Sequence, residues 1–210
     1  SLLDLSNDDF IKTTEERHVK VAQSIFQKIF DKGEIYKKSY SGLYCEGCEA
    51  FLAKRDLVDG KCLEHNKEPK IIEEENYFFK LSKYSKKLEI YISGNKNLQS
   101  EVKKQILNWI KGGLNDWCIS RDAPYFGFKI PGENKKYFYV WLDAPVGYMA
   151  SLANYLKGDV NAAEKQWNES KVIHFIGKDI IYFHLLFWPA VLMSADFTPA
   201  ENVIVHGLMN

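Results

Sequence analysis

A chain of 210 residues that is 46% hydrophobic and 14% aromatic can bury a real core, enough for one large domain or two modest ones. Lysine plus arginine equals aspartate plus glutamate at 28 each, which gives no reason to expect the broad basic face that grips phosphate backbones without regard to sequence; any nucleic-acid contact must be local. The longest apolar run, Ile180 to Met193, is interrupted by His184 and Pro189 and too short to cross a bilayer, and no signal-like segment opens the chain, so a soluble cytoplasmic protein without membrane contact is expected.

Thr13 to Glu16 reads as a capping box, and Val19, Ala22, Phe26, Ile29 and Phe30 then recur at helical spacing until Gly33. Residues 34–77 are turn-rich and charged, with Asp59-Gly60 as a hairpin signal between two cysteine-bearing runs. Phe78, Phe79 and Leu81 lead into a helix, and Val102, Ile106, Trp109 and Ile110 mark the buried face of another, closed by Gly112-Gly113. After a stretch rich in proline and glycine, the pattern predicts a strand over 137–142, a helix over 145–155, a strand over 172–176, a helix over 180–195 and a strand over 202–205. That alternation is the signature of a parallel sheet with crossover helices. The chain opens on Ser1 rather than methionine and ends at Asn210 directly after an apolar run, so it is expected to be an internal piece of a longer protein.

Cys45-Glu-Gly-Cys48, thirteen intervening residues and Cys62-Leu-Glu-His65 offer three thiolates and one imidazole. This set suits tetrahedral zinc, and four protein ligands leave no place for water, so one structural Zn²⁺ is expected. The metal would staple two knuckles that otherwise bury too little apolar surface to fold. Scattered surface cysteines or a redox pair are the competing readings; the two-residue gap in both pairs argues against the first, and the lack of a strand-to-helix entry against the second. Cys118, alone beside Trp117, reads as a core filler.

Trp141, Ala144, Pro145 and Tyr148 stand three, four and seven residues apart from the first, as do Ile180, His184, Phe187 and Trp188 at four, seven and eight. Each set falls near one helix face, at a strand-to-helix turn where α/β sheets bind ligands. Spacing alone favours plain core for such an aromatic stripe; His184 is the exception, since an imidazole there must find a partner or face a cleft. Asp143 suits a helix cap and Pro145 the first helical position. Gly177-Lys178-Asp179 lies where helix-start amides favour polar ligand groups, and Asp179 reads equally as a ribose contact or an N-cap.

Four segments, Phe10 to His18, Ile119 to Phe128, Tyr139 to Tyr148 and Phe175 to His184, resemble the class I methionyl-tRNA synthetases, in family order along essentially the whole chain. The resemblance implies an α/β fold: a partial Rossmann-like parallel sheet of the catalytic domain, with an inserted zinc-knuckle α+β connective domain. Residues 1–33 would close the first half of the catalytic domain, 34–117 would be the insertion, and 118–210 the second half, stopping before a Lys-Met-Ser-Lys-Ser loop. Methionine would be lined by Trp141, Ala144, Pro145, Tyr148, Ile180, Phe183 and His184, with Phe187 and Trp188 behind or beside them. Gly177 and Asp179 would contact the adenosine ribose, His206 and Gly207 would border the adenosine, and Arg121 is a weaker candidate for substrate or the tRNA acceptor end. Cys45, Cys48, Cys62 and His65 would hold the zinc.

The reaction so implied activates methionine with ATP and Mg²⁺ and transfers it to tRNA(Met). The phosphate-handling His-x-Gly-His and Lys-Met-Ser-Lys-Ser motifs are not in this sequence, so no catalytic residue is expected within it and the piece alone should not turn over. An insertion this short argues against the leucine, isoleucine and valine enzymes with their large editing domain. The alternative is a non-enzymatic zinc module that docks RNA or protein, against which neutral charge and missing aromatic-basic interleaving weigh.

Overall fold

Val21, Ala22, Ile25, Phe26 and Ile29 recur at three- and four-residue intervals, and in helix α1 (Glu16–Asp31) they form the buried stripe, with His18 on the same side. Each large side chain so buried is worth about 1.5–3 kcal/mol relative to exposure. The helix ends where Gly33 takes a φ of 69°, which a residue without Cβ adopts at no steric cost. Its start differs from the expected capping box. Glu15 holds the cap position, and its Oε1 accepts the Lys12 amide at 2.9 Å, while Arg17 bridges Glu15 and Asp9 at 2.6 Å each. The arginine fork fixes the acidic side chain one residue earlier than the box requires. Phe30, expected inside, is 39% exposed.

The computed structural model describes residues 4–45, 50–52 and 57–207, in two units: Lys37–Tyr77, and Ser1–Tyr36 together with Phe78–Asn210. Residues 34–77 are not merely short turns. Two long strands, β1 (Ile35–Cys45) and β5 (Lys70–Phe79), frame the segment, the second ending two residues beyond it, with β2 (Ala50–Leu52), β3 (Leu57–Val58) and β4 (Lys61–Cys62) between them. Lys37, Lys38 and the run Glu73 to Glu75 hide the long strands from a reading based on apolar periodicity. β2 lies antiparallel to the end of β1, with Cys45 opposite Ala50. The Asp-Gly signal is correct: Asp59 and Gly60, at φ 49° and 78°, make the two-residue turn joining β3 to β4.

In the larger unit a 3-10 turn (Leu81–Tyr84) enters α2 (Ser85–Gly94), which packs on α3 (Ser100–Lys111); Leu88 and Ile92 of the first and Val102, Ile106 and Ile110 of the second are buried. Gly112 caps α3 and Gly113 follows at φ 91°, as the glycine pair predicts. β6 (Trp117–Cys118) pairs antiparallel with the end of β5, Trp117 opposite Phe79. β7 (Ser120–Asp122) pairs antiparallel with β8 (Lys136–Phe138).

The strand expected over 137–142 stops at Phe138. From there α4 (Val140–Asp143), a 3-10 turn (Ala144–Val146) and α5 (Gly147–Tyr155) follow. The local β-propensity of Tyr139 and Val140 is overridden by burial, since Leu142, Asp143 and Val146 share one tight hollow with Ala22, Ile25, Phe26 and Ile29 of α1. Helix α6 (Val160–Glu169), not anticipated from the sequence, is capped by Asp159 accepting the Ala162 amide at 2.9 Å and anchored by the buried Trp167.

The remaining strands behave as expected. β9 (Ile173–Gly177) and β10 (Asn202–His206) are parallel, in register from Ile173 opposite Asn202 to Gly177 opposite His206. Their crossover is helical: a 3-10 turn (Lys178–Ile180), a π-helical turn (Phe183–Phe187) and α7 (Trp188–Ser194). Because β8 pairs with β7, the parallel sheet of the described residues is this pair rather than three strands. Among the described residues no helix is long and apolar enough to cross a membrane.

Candidate functional site

Between Trp141 and Ala150 the chain is buried except at Trp141 and Ala144, which are half-buried, and at Tyr148, which is 41% exposed. Those three positions, at i, i+3 and i+7, therefore form the open face, while Pro145 is packed inward. On the crossover helix Ile180 and Phe183 are likewise half-buried, and His184 lies beneath at 3% exposure. The two faces meet: the Trp141 and Phe183 rings stack with centroids 3.9 Å apart and planes 6° from parallel, and Tyr148 Oη lies 3.0 Å from His184 Nε2. Phe187 and Trp188 are buried behind them, Phe187 against Trp117 at 4.1 Å and Trp188 6.2 Å from Trp167.

The hydrogen-bond pattern fixes the state of His184. Its Nδ1 is 3.1 Å from the Ile180 carbonyl, which can only accept, so Nδ1 donates there and Nε2 takes the hydrogen of the Tyr148 hydroxyl. Burial pushes the His184 imidazole below the usual histidine range, against the pull of that carbonyl. His174, on the inward side of β9, is pushed down to about 4 by burial first and by His184 second. Its ring lies 4.6 Å from Tyr148 and 5.6 Å from His184. The face thus carries two uncharged imidazoles and a phenol whose own ionisation burial also opposes. An uncharged, polarisable lining of this kind favours apolar and sulfur-bearing groups over ions. Sequence reasoning missed His174; its signal was an imidazole on the inward alternation of a strand two residues before Ile176.

Gly177 and His206 are cross-strand partners at the carboxyl ends of parallel strands, the edge where α/β sheets take ligands. Asp179 is exposed in the first turn after Gly177, and the turn carries no side-chain cap, so the N-cap reading of Asp179 is the one the geometry drops. His206 is exposed, 2.7 Å from the Gly207 carbonyl through Nδ1. Asp143, expected as a helix cap, caps nothing: it is helical and buried, and its carboxylate turns to His18 instead. Arg121 is half-buried over the Tyr139 ring at 4.1 Å and donates to the Ser120 carbonyl at 2.7 Å.

In the smaller unit, ligand atoms of Cys45, Cys62 and His65 lie within 4.8 Å of one another, with Cys62 Sγ 4.0 Å from His65 Nδ1. Both cysteines are buried. Ligands held about 2.0–2.3 Å from a tetrahedral zinc stand roughly 3.5–4 Å apart, so these three fit such an ion with little movement. Cys48, the fourth expected ligand, lies outside the described residues.

The chain matches the family model of class I tRNA synthetases (M) over residues 1–68 and 53–210. It is 40% identical over 209 residues to the methionine–tRNA ligase of Clostridium acetobutylicum, covering 98% of this chain and 32% of that protein. Identity to the Fusobacterium nucleatum methionine–tRNA ligase is 39% over 208 residues, with the same coverage of each. Among solved structures it resembles Mycobacterium tuberculosis methionyl-tRNA synthetase bound by methionyl-adenylate, with TM-score 0.78 and 32% identity over 98% of this chain and 41% of that one. The apo form of the same protein gives a TM-score of 0.76 at 32% identity, over 98% of this chain and 42% of that one. The chain therefore spans 32% of the length of the curated relatives it matches.

Proposed function

Because the chain belongs to the methionyl-tRNA synthetase family and shares its class I fold of mixed helices and strands, we propose that it supplies the methionine wall and part of the adenosine edge of an enzyme that charges tRNA(Met). The full-length enzyme would join methionine to ATP, with Mg²⁺ on the phosphates, release pyrophosphate, and pass the methionyl group to the tRNA in the cytoplasm. The comparisons favour this over a stand-alone zinc module for RNA or protein docking.

The observation that carries the reading is the meeting of the stacked Trp141–Phe183 pair with the uncharged Tyr148–His184 pair. An unbranched thioether gains dispersion and sulfur–aromatic contact from such a wall. Ala144 keeps the open face shallow, Pro145 supports it from within, and Ile180 orients His184 through its carbonyl. At the sheet edge Gly177 leaves room for a close backbone approach, Asp179 would hold ribose hydroxyls, and His206 and Gly207 would border the base. With methionine and the adenosine so placed, this chain contributes positioning, the part of such chemistry that depends on geometry rather than on a proton donor.

For the rest of the architecture we propose a Rossmann-like catalytic domain formed by residues 1–33 and 118–210, interrupted by a connective insertion at 34–117. The compact unit at 37–77 would be its zinc-bearing part, with Cys48 completing the set of Cys45, Cys62 and His65. Zinc there would supply folding free energy and no chemistry on the substrate.

The test is methionine-dependent exchange of pyrophosphate into ATP by the full-length protein. Trp141→Ala should lower kcat/KM for methionine by about a hundredfold, as loss of about 3 kcal/mol of ring contact implies. Robust exchange with leucine and none with methionine would overturn the assignment.

A further inference from the structure

His18 is the point where three stretches far apart in sequence converge. Its ring is fully buried on α1, its Nε2 donates toward Asp143 Oδ2 at 3.2 Å across 125 residues of chain, and its edge meets the Phe128 ring at 5.8 Å. A Cβ placed on Gly147 would stand 3.6 Å from His18 Nδ1, so the imidazole also rests against the first residue of α5. Nδ1 has no hydrogen-bond partner among the described residues, which leaves Asp143 as the polar anchor of the ring. Asp143 follows Trp141 by two residues and precedes Ala144; Gly147 precedes Tyr148. The imidazole therefore touches the Trp141–Tyr148 stretch at two points, each one residue from a side chain on the open face.

We propose that His18 and Asp143 form a positioning pair that sets the height and rotation of the Trp141–Tyr148 stretch, and through it the fit of the amino-acid side chain. The inference rests on the methionine reading of that face. Burial holds the Asp143 carboxyl above the usual carboxylate range, with the hydrogen bond from His18 pulling the other way, so the carboxylate depends on this imidazole to stay inside. Neither residue reaches the open face, so both act through Trp141, Ala144 and Tyr148 and neither is a catalytic residue.

The full-length protein with His18→Ala, His18→Gln or Asp143→Asn is compared with wild type in methionine-dependent pyrophosphate exchange and in amide hydrogen exchange. His18→Ala should raise KM for methionine about tenfold while KM for ATP stays within about twofold, because the adenosine edge lies on β9 and β10 and not on this pair. His18→Gln, whose amide still donates to Asp143, should restore most of the loss. Amides over 140–149 should exchange faster in His18→Ala, and those of β9 and β10 should not. A folded His18→Ala with unchanged KM for methionine and unchanged exchange overturns the proposal, as does an equal rise in both KM values, which marks general loosening. If His18→Ala does not fold, His18→Gln against Asp143→Asn decides by the same readouts. Should wild type activate a different amino acid, the functional reading fails, while the hydrogen-exchange comparison still decides whether the pair holds the stretch.

Discussion

The described residues of the smaller unit and of the larger one differ in how much apolar core they bury. Among the described residues of Lys37–Tyr77 the buried apolar side chains are Cys45, Cys62 and Tyr77, and two of those three are candidate metal ligands. The larger unit buries full helical faces, with Ile29, Phe79, Leu88, Ile106, Leu185 and Leu186 at 0–1% exposure. Apolar burial among the described residues of the smaller unit offsets little of the entropy of ordering the chain, and on the zinc reading proposed above the metal supplies folding free energy there. On that reading, metal-dependent folding of the smaller unit stands against core-dependent folding of the larger one.

That separation is broken most sharply by removing the metal. A strong chelator, or Cys62→Ser, should withdraw binding free energy on the order of 10 kcal/mol from the smaller unit. Amide protection over 57–77 should then be lost while that of α1 and α3 persists, and elemental analysis should fall from about one zinc per chain to none. Uniform loss of protection in both units would erase the contrast. The reciprocal change is Phe79→Ala, which empties a fully buried site beside Tyr84 and Trp117 and should cost the larger unit roughly 3–5 kcal/mol in denaturant titrations. Zinc content should not change.

Acid sharpens the contrast from the other side. With its imidazole held down to about 4 from an ordinary 6.5, buried His174 refuses a proton that the unfolded chain accepts. Stability of the larger unit should be full above pH 6.5, fall by up to about 3 kcal/mol as pH drops, and stop falling from this cause near pH 4. His174→Gln should flatten that slope in thermal melts taken across the window; an unchanged slope would mean that the imidazole is accessible. The smallest effect belongs to Thr13→Ala. Since the structure makes no threonine cap on α1, it should cost less than about 0.5 kcal/mol, well under the usual price of a lost N-cap.

Local patterns made much of this legible in the sequence. The apolar period of α1 and α3, the Asp59-Gly60 turn, the β9 and β10 runs and the cysteine spacing are each written within a few residues. Elements whose cause is non-local were not. β1 and β5 carry charge instead of alternating apolar residues, so periodicity passes over them. Val140 to Asp143 has strand-like composition, yet forms a helix because Leu142 and Asp143 are buried against α1. At the candidate site, spacing alone favoured core for the aromatic stripe, and family resemblance pointed to a pocket. Trp141, Ala144 and Tyr148 are the less buried positions of that stretch, an exposure pattern that spacing alone does not specify. His18–Asp143 and His174 stayed hidden because their partners come from other segments of the chain.

The central claim is that the face between Trp141 and His184 takes the methionine side chain, and intrinsic fluorescence of the full-length protein titrated with methionine tests it most directly. The account predicts a saturable change in tryptophan emission that Trp141→Phe largely removes, together with weaker binding in Tyr148→Ala. A methionine affinity and emission change that both survive Trp141→Phe and Tyr148→Ala intact would contradict it.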